Sequence, residues 1–402
     1  MSRPRIGLWL IGTRGGVAST ALVGLAALKQ QRMPPVGLVT ELPLFAELDL
    51  PDWSDFVVGG HEIRDVSIFD EAMCLATQSR AIEPELVLRA RSELDAIDRR
   101  VCWGTLHGVG STITQLADNE VPRQENPREA VERIQQDLQA FAAAEDLEHV
   151  IVVNVASTEP AIDSSRLPAE WDKFEKLLDA EECPLPASSL YAIAVLELGC
   201  SYINFTPALG STPAAFDQLV RRRATRHMGC DGKTGETLMK SVLGPMFAHR
   251  HLDVMSWVGH NIFGNLDGRV LDDPANKQAK VASKDHLLRE ILGYAPQTHV
   301  SIEHIASLGD WKTAWDHIHF RGFLGTPMTL QFIWQGCDSL LAAPLVLDMA
   351  RLADAARRRG EIGTLTFLAS FFKSPRGVDE QGFIRQFHLL ESWVQRASAG
   401  PK

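Results

Sequence analysis

The first two hundred residues alternate short unbroken apolar runs with apolar positions at helical spacing. Residues 6–11 form a short apolar run that predicts a strand; GTRGGVAST follows, and then ALVGLAALKQ at helical spacing. Strand, glycine turn and helix in that order would aim backbone amides and the positive end of a helix at a pyrophosphate. The next run, VGLVT, predicts a second strand ending at Glu41, an acid placed to hold an adenosine ribose and to favour NAD over NADP. The same turn also fits a tight strand-to-helix connection with no ligand. DFVVGGHEIRD reads as a further strand ending in two glycines, which suits either a cofactor approach or a simple turn.

Helical patterns follow over about 71–100 and 128–145, the second amphipathic, with the loop-and-strand segment GTLHGVGSTITQL between them. HVIVVNVASTEP is the clearest parallel-sheet strand, an unbroken β-branched run that ends at Asn154, Ser157, Thr158 and Glu159. A helix over 190–199 and the strand YINFTPALGST repeat the unit. Strands alternating with helices to about residue 235 predict an α/β, Rossmann-like doubly wound parallel sheet.

The pattern changes at Gly229. GCDGKTGETLMKSVLG reads as a glycine loop opening onto a helix, with Asp231, Lys233, Thr234 and Thr237 available to a phosphate or a hydroxyl-rich ligand. KQAKVASKDHLLREILG is helical and sets Lys280 and Lys284 one turn apart, with Lys277 close by. HVSIEHIASLGDWKTAWDHIHF predicts strands around a short helix carrying Asp310, Lys312 and Asp316. CDSLLAAPLVLDMARLADAARRRG predicts a long helix with Asp338 near its start, and TLTFLASFFKSPRG a strand-like run ending at Lys373.

Lysine usage sharpens this picture. Eleven of the 40 basic residues are lysine, and six of those fall between Gly229 and Lys312. Arginine stays protonated at any working pH, whereas lysine loses its proton readily when buried or crowded by other cations. The cluster therefore points to proton transfer or to a bound phosphate, although the spacing also fits a solvated basic face. With a net charge of −11 the chain offers no general footprint for nucleic acid, so a small anion is the expected substrate. The six cysteines show no paired spacing, which fits a reducing cytoplasm. No apolar run reaches membrane-spanning length. His317 and His319 sit beside aromatic residues as structural histidines do, and no metal is expected.

The stretches GTRGGVAST, FVVGGHEIRD, NVASTEP, SYINFTPALGSTP, GCDGKTGET, FGNLDG, KVASK, LGDWK, CDSLLAAPLVLD and FFKSP occur in that order along nearly the whole chain. In this they resemble the myo-inositol-1-phosphate synthase family. The resemblance implies an NAD-binding Rossmann-like domain from residues 1–237 plus 338–402. Residues 238–337 would form an inserted α/β catalytic domain that builds a homotetramer. It also implies a cytoplasmic enzyme that converts glucose 6-phosphate to an inositol monophosphate. The route is oxidation at C5, enolisation, intramolecular aldol closure and re-reduction.

Carried over motif by motif, Lys280 and Lys373 would move protons at C5 and the enolate, and Lys284 and Lys312 would hold the phosphate and the C1 oxygen. Asp231 would orient Lys280 or Lys373. Gly12, Thr13, Arg14, Gly15, Gly16, Ser19, Thr20, Glu41, Thr158 and Asp338 would hold NAD. Lys233, Thr234, Gly235, Asn265, Asp267 and Asp310 would contact the sugar phosphate. Departures from the family pattern include Arg14 near the pyrophosphate, Ser157 for an asparagine, and Glu236, which adds a negative charge to the phosphate loop. A dehydrogenase or cyclase acting on another sugar or polyol phosphate is the alternative. A dinucleotide-binding protein without activity would not be expected to keep the lysines.

Overall fold

The computed structural model describes residues 4–265 and 287–399. The Rossmann-like expectation holds. A seven-stranded sheet runs in the order β11-β6-β5-β4-β1-β2-β3, and every adjacent pair in it is parallel. Its strands are β1 (Arg5–Ile11), β2 (Phe56–Glu62), β3 (Val101–Trp103), β4 (Leu147–Asn154), β5 (Ser201–Asn204), β6 (Arg226–Gly229) and β11 (Gly363–Thr364). The central strands read as continuous apolar runs because helices cover both faces, and Leu8, Leu10, Ile151, Val152 and Val153 are fully buried. On one face the helix Gly16–Lys29 packs against the long helix Asp338–Arg358. On the other, Pro127–Ala144 packs against Ala187–Glu197.

A second sheet holds β7 (Asp253–Phe263), β8 (Gln297–His304), β9 (Trp311–Arg321) and β10 (Pro327–Cys337) in the order β10-β9-β7-β8. β9 runs antiparallel to both of its neighbours. The inner face buries Val254, Trp257 and Ile318 against Phe247 of the helix Gly235–His249.

Besides the segment 104–116, which carries the short helix Ser111–Thr114 and no strand, three local expectations fail, each for a visible reason. The run 36–40 is not a strand. Val39–Glu41 is a 3-10 turn whose amides are taken by a buried carboxylate: Asp348 accepts from Val39 N at 2.7 Å and Thr40 N at 2.9 Å. With its donors committed there, the segment has none for a sheet ladder. The short helix expected around Asp310–Asp316 is instead the start of β9, preceded by a 3-10 turn at Ala306–Leu308. The alternation of buried Ala314, Asp316 and Ile318 with less buried neighbours is the period of two that marks a strand. The apolar run before Lys373 is a 3-10 segment, Thr366–Phe371. It is apolar because it is buried under the helix Phe383–Ser398, where Phe367 stacks on Trp393 at 4.0 Å.

Candidate active site

A cavity of about 660 Å³ opens at the carboxyl ends of β1, β2, β4 and β5. This is where parallel sheets of this kind place ligands. Gly12, Gly15 and Gly16 line one part of it. Gly12 has φ +82°, and a Cβ there would stand 2.9 Å from the Ala156 backbone, so the β1 and β4 ends meet too closely for a side chain. Thr13 fixes the turn instead of facing the cavity, its hydroxyl donating to the Leu10 carbonyl at 2.7 Å. The helix that starts at Gly16 has no side-chain cap, which leaves its first amides to a ligand. Ser19 and Thr20 are buried within that helix and lie outside the cavity lining.

Two expected cofactor residues are placed otherwise. The Glu41 carboxylate pairs with Arg351 at 2.6 Å and does not line the cavity. The acid at the end of β2 is Glu62, which is buried and in the lining, and accepts from the amides of Arg14 at 2.9 Å and Ile63 at 2.8 Å. The sequence points to Glu41 instead because VGLVT reads as the second strand, whereas fifteen residues follow Thr40 before β2 begins. Arg14 likewise turns away from any pyrophosphate. Its guanidinium pairs with Asp98 at 2.9 Å and donates to the Arg64 carbonyl at 2.9 Å, tying the glycine turn to a neighbouring helix.

The β4 end supplies Ala156, Ser157, Thr158 and Glu159. Burial pushes Glu159 up to about 7 against the hydrogen bonds of Ser188, whose amide donates at 2.7 Å and whose hydroxyl donates at 2.5 Å. This pair fastens the start of the helix Ala187–Glu197 to the cavity rim.

A further part of the lining comes from the chain after Gly229 and carries the candidate chemistry. Asp231, Thr234, Asn265, Asp310, Asp338 and Lys373 all line it. Lys373 Nζ donates to Asp231 Oδ1 at 2.7 Å, and Lys312 Nζ donates to Asp338 Oδ2 at 3.2 Å. Asp231 sits at φ +64°, and its carbonyl accepts from the Lys373 amide at 2.6 Å, so backbone and side chain hold the two residues together. Asp310 accepts from the Cys337 thiol at 2.5 Å and is raised above the ordinary carboxylate range by burial, opposed by Cys337 and Ser339.

Lys233 leaves the expected substrate set. Its side chain is 2% exposed, lies outside the lining and donates to Gln386 Oε1 of the last helix. Burial, with the Lys373 ammonium second, pulls it down to about 7. The unfolded chain, with the ordinary lysine value of 10.5, binds more protons than the folded one between those two values. Stability should therefore rise as pH increases across that window. Lys233→Met should flatten the rise, checked by denaturation midpoints at pH 7 and 9.5.

Gly235 forms the turn at φ +51° that starts the helix after Thr234 and is not in the lining. Glu236 does not present its charge to that turn. It is 1% exposed, and its carboxylate lies 2.6 Å from Lys240 Nζ beneath β7. Lys280, Lys284 and Asp267 lie outside the described residues. Among the described residues no three histidine, cysteine, aspartate or glutamate side chains are grouped to hold a metal, and no helix is long and apolar enough to cross a membrane.

A family profile described as myo-inositol-1-phosphate synthase matches residues 6–395. The chain is 31% identical to inositol-3-phosphate synthase 1 of Bacteroides thetaiotaomicron over 391 residues, covering 92% of this chain and 89% of that protein. To the human inositol-3-phosphate synthase 1 it is 28% identical over 392 residues, covering 88% and 69%. The crystal structure of inositol-3-phosphate synthase from Caenorhabditis elegans superposes with a TM-score of 0.87 at 26% identity, covering all of this chain and 87% of that one. The profile match over residues 6–395 and the 31% identity running almost end to end place this chain in the myo-inositol-1-phosphate synthase family.

Proposed function

We propose that this protein cyclises glucose 6-phosphate to an inositol monophosphate with NAD as a catalytic, unconsumed cofactor. The observation that carries the reading is the shared cavity: the uncapped glycine turn, the Lys373–Asp231 pair and the acid of the Lys312–Asp338 pair all border it. The lining fits a dinucleotide. Gly12 and Gly15 allow close approach, the helix beginning at Gly16 faces the pyrophosphate, and Glu62 takes the ribose position at the end of β2. When bound, NAD accepts and later returns the hydride at C5.

The chain's own groups handle the protons and the charge. Lys373, held by Asp231, exchanges the C5 hydroxyl proton and faces the enolate formed when C6 loses its proton. Lys312, held by Asp338, stabilises and protonates the C1 oxygen as C6 attacks the aldehyde. Thr234 and the first turn of the helix Gly235–His249, which has no side-chain cap, receive the phosphate. Lys280 and Lys284 join this set through the family motif. On the same grounds residues 238–337 form the inserted catalytic domain, the remainder forms the NAD domain, and the protein works as a cytoplasmic homotetramer.

The test is turnover of glucose 6-phosphate with substoichiometric NAD, followed by phosphorus NMR. Inositol monophosphate should form in excess over NAD. Product limited to one equivalent of NAD would refute the redox-neutral cycle.

A further inference from the structure

The acid at the end of β2 does not stand alone in the cavity. Arg64, two residues on, also lines it, and so does Glu71 of the helix Ile68–Thr77. The Arg64 guanidinium lies 3.1 Å from Glu71 Oε2 and 3.6 Å from Glu62 Oε2, and it donates to the Arg14 carbonyl as well. The Arg64 and Glu71 side chains are 16% and 20% exposed, so both can be reached from the cavity.

Glu62 is nearly used up as an acceptor. A carboxylate offers about four lone-pair positions. Oε1 takes the amides of Ile63 at 2.8 Å and Arg64 at 3.2 Å, and Oε2 takes the Arg14 amide at 2.9 Å. One position remains on Oε2, the oxygen that the guanidinium approaches, and it suits a single ribose hydroxyl. A phosphate ester on that hydroxyl would lose the hydrogen bond and set its oxygens against Glu62, within reach of Arg64.

Charge then decides the outcome. Two carboxylates and one guanidinium leave the trio with one net negative charge, and Arg14, the other cation at the turn, is already paired with Asp98 at 2.9 Å. An arginine beside the ribose is the usual means of accommodating a 2′-phosphate. Here its planar fork of donors, which suits carboxylate and phosphate alike, is already committed.

We propose that Glu71 is a specificity residue: by holding Arg64 it denies that guanidinium to a 2′-phosphate, and so makes the cavity select NAD over NADP. This rests on the reading of the cavity as a dinucleotide site with Glu62 at the ribose. Glu71→Gln removes one negative charge at nearly constant shape and frees Arg64. Arg64→Gln removes the cation but keeps an N–H for the Arg14 carbonyl. Calorimetric titration of each protein with NAD, and separately with NADP, measures the effect.

Glu71→Gln should bind NADP about tenfold tighter than the parent does, the order expected for a hydrogen bond to a charged group, with NAD affinity within about threefold. Adding Arg64→Gln should abolish the gain, because the gain runs through the guanidinium. A purely structural role for Glu71 would weaken both dinucleotides and tighten neither. NADP binding by Glu71→Gln within twofold of the parent would overturn the proposal, as would a gain that survives Arg64→Gln or a parent that binds NADP as tightly as NAD. If Glu71→Gln fails to fold, Glu71→Ala removes the same charge and decides by the same criterion. A parent that binds neither dinucleotide overturns this proposal together with the cofactor reading. A parent that binds NAD but forms no inositol monophosphate would sink the functional reading, while the comparison of NAD with NADP still judges Glu71.

Discussion

Lys373→Ala should lower kcat/KM for glucose 6-phosphate by about a thousandfold, in the range of a lost general acid-base group that also stabilises developing charge. The fold should survive. The segment around Lys373 is zipped to the 230–233 loop by backbone hydrogen bonds, Cys230 N to Ser374 O at 2.9 Å and Lys233 N to Phe371 O at 2.8 Å, which a side-chain truncation leaves intact. NAD affinity should stay within a few-fold, because the glycine turn and Glu62 belong to the other part of the lining. Lys373→Arg should rescue little, since a guanidinium cannot give up its proton at working pH. Steady-state kinetics with cofactor titration by fluorescence separates these outcomes. A Lys373→Ala protein within tenfold of the parent would remove Lys373 from the mechanism.

Lys240→Met should cost about 3–5 kcal/mol of stability, the usual penalty for taking one partner out of a buried ionic group. Lys240 Nζ lies 2.6 Å from Glu236 Oε1 and 3.8 Å from Asp316 Oδ1, and all three side chains are at most 3% exposed. The Trp257 indole donates to Asp316 at 2.6 Å from the same layer. Removing the cation leaves two carboxylates beneath the sheet, where the low dielectric makes both their repulsion and their desolvation expensive. Adding Glu236→Gln to Lys240→Met should restore part of the loss. Urea denaturation of the single and double variants measures it, and a Lys240→Met change below 1 kcal/mol would show that the ion pair is not what holds this layer.

What the sequence revealed follows from how locally each feature is encoded. The β1 glycine turn and the β4 run are written in consecutive residues, and both stand where they were expected. Lys312, Lys373, Asp231 and Asp338 were named from local motifs, and the fold brings them into two pairs. VGLVT points to Glu41 as the acid after the second strand because nothing local shows that Asp348, about three hundred residues away, draws the 39–40 amides out of any sheet.

Side-chain direction was equally hidden. Lys233 and Glu236 lie in a loop that reads as a phosphate site, yet partners from the last helix and from the helix's own next turn bury both. Arg14 sits in the glycine turn where a pyrophosphate contact is expected, yet Asp98 and the Arg64 carbonyl take its guanidinium. The strand at Lys312 reads as a helix in sequence because its buried alternation includes Asp316, a residue type that pattern reading counts as exposed.

The central claim is that the hydride removed from C5 returns to the same molecule. Glucose 6-phosphate deuterated at C5, incubated with the protein and unlabelled NAD in small amount, tests it by mass spectrometry of the product and absorbance of NADH. The account predicts inositol monophosphate retaining close to all of its deuterium with no lasting NADH signal. Product that has lost the label, or NADH that accumulates with turnover, would contradict it.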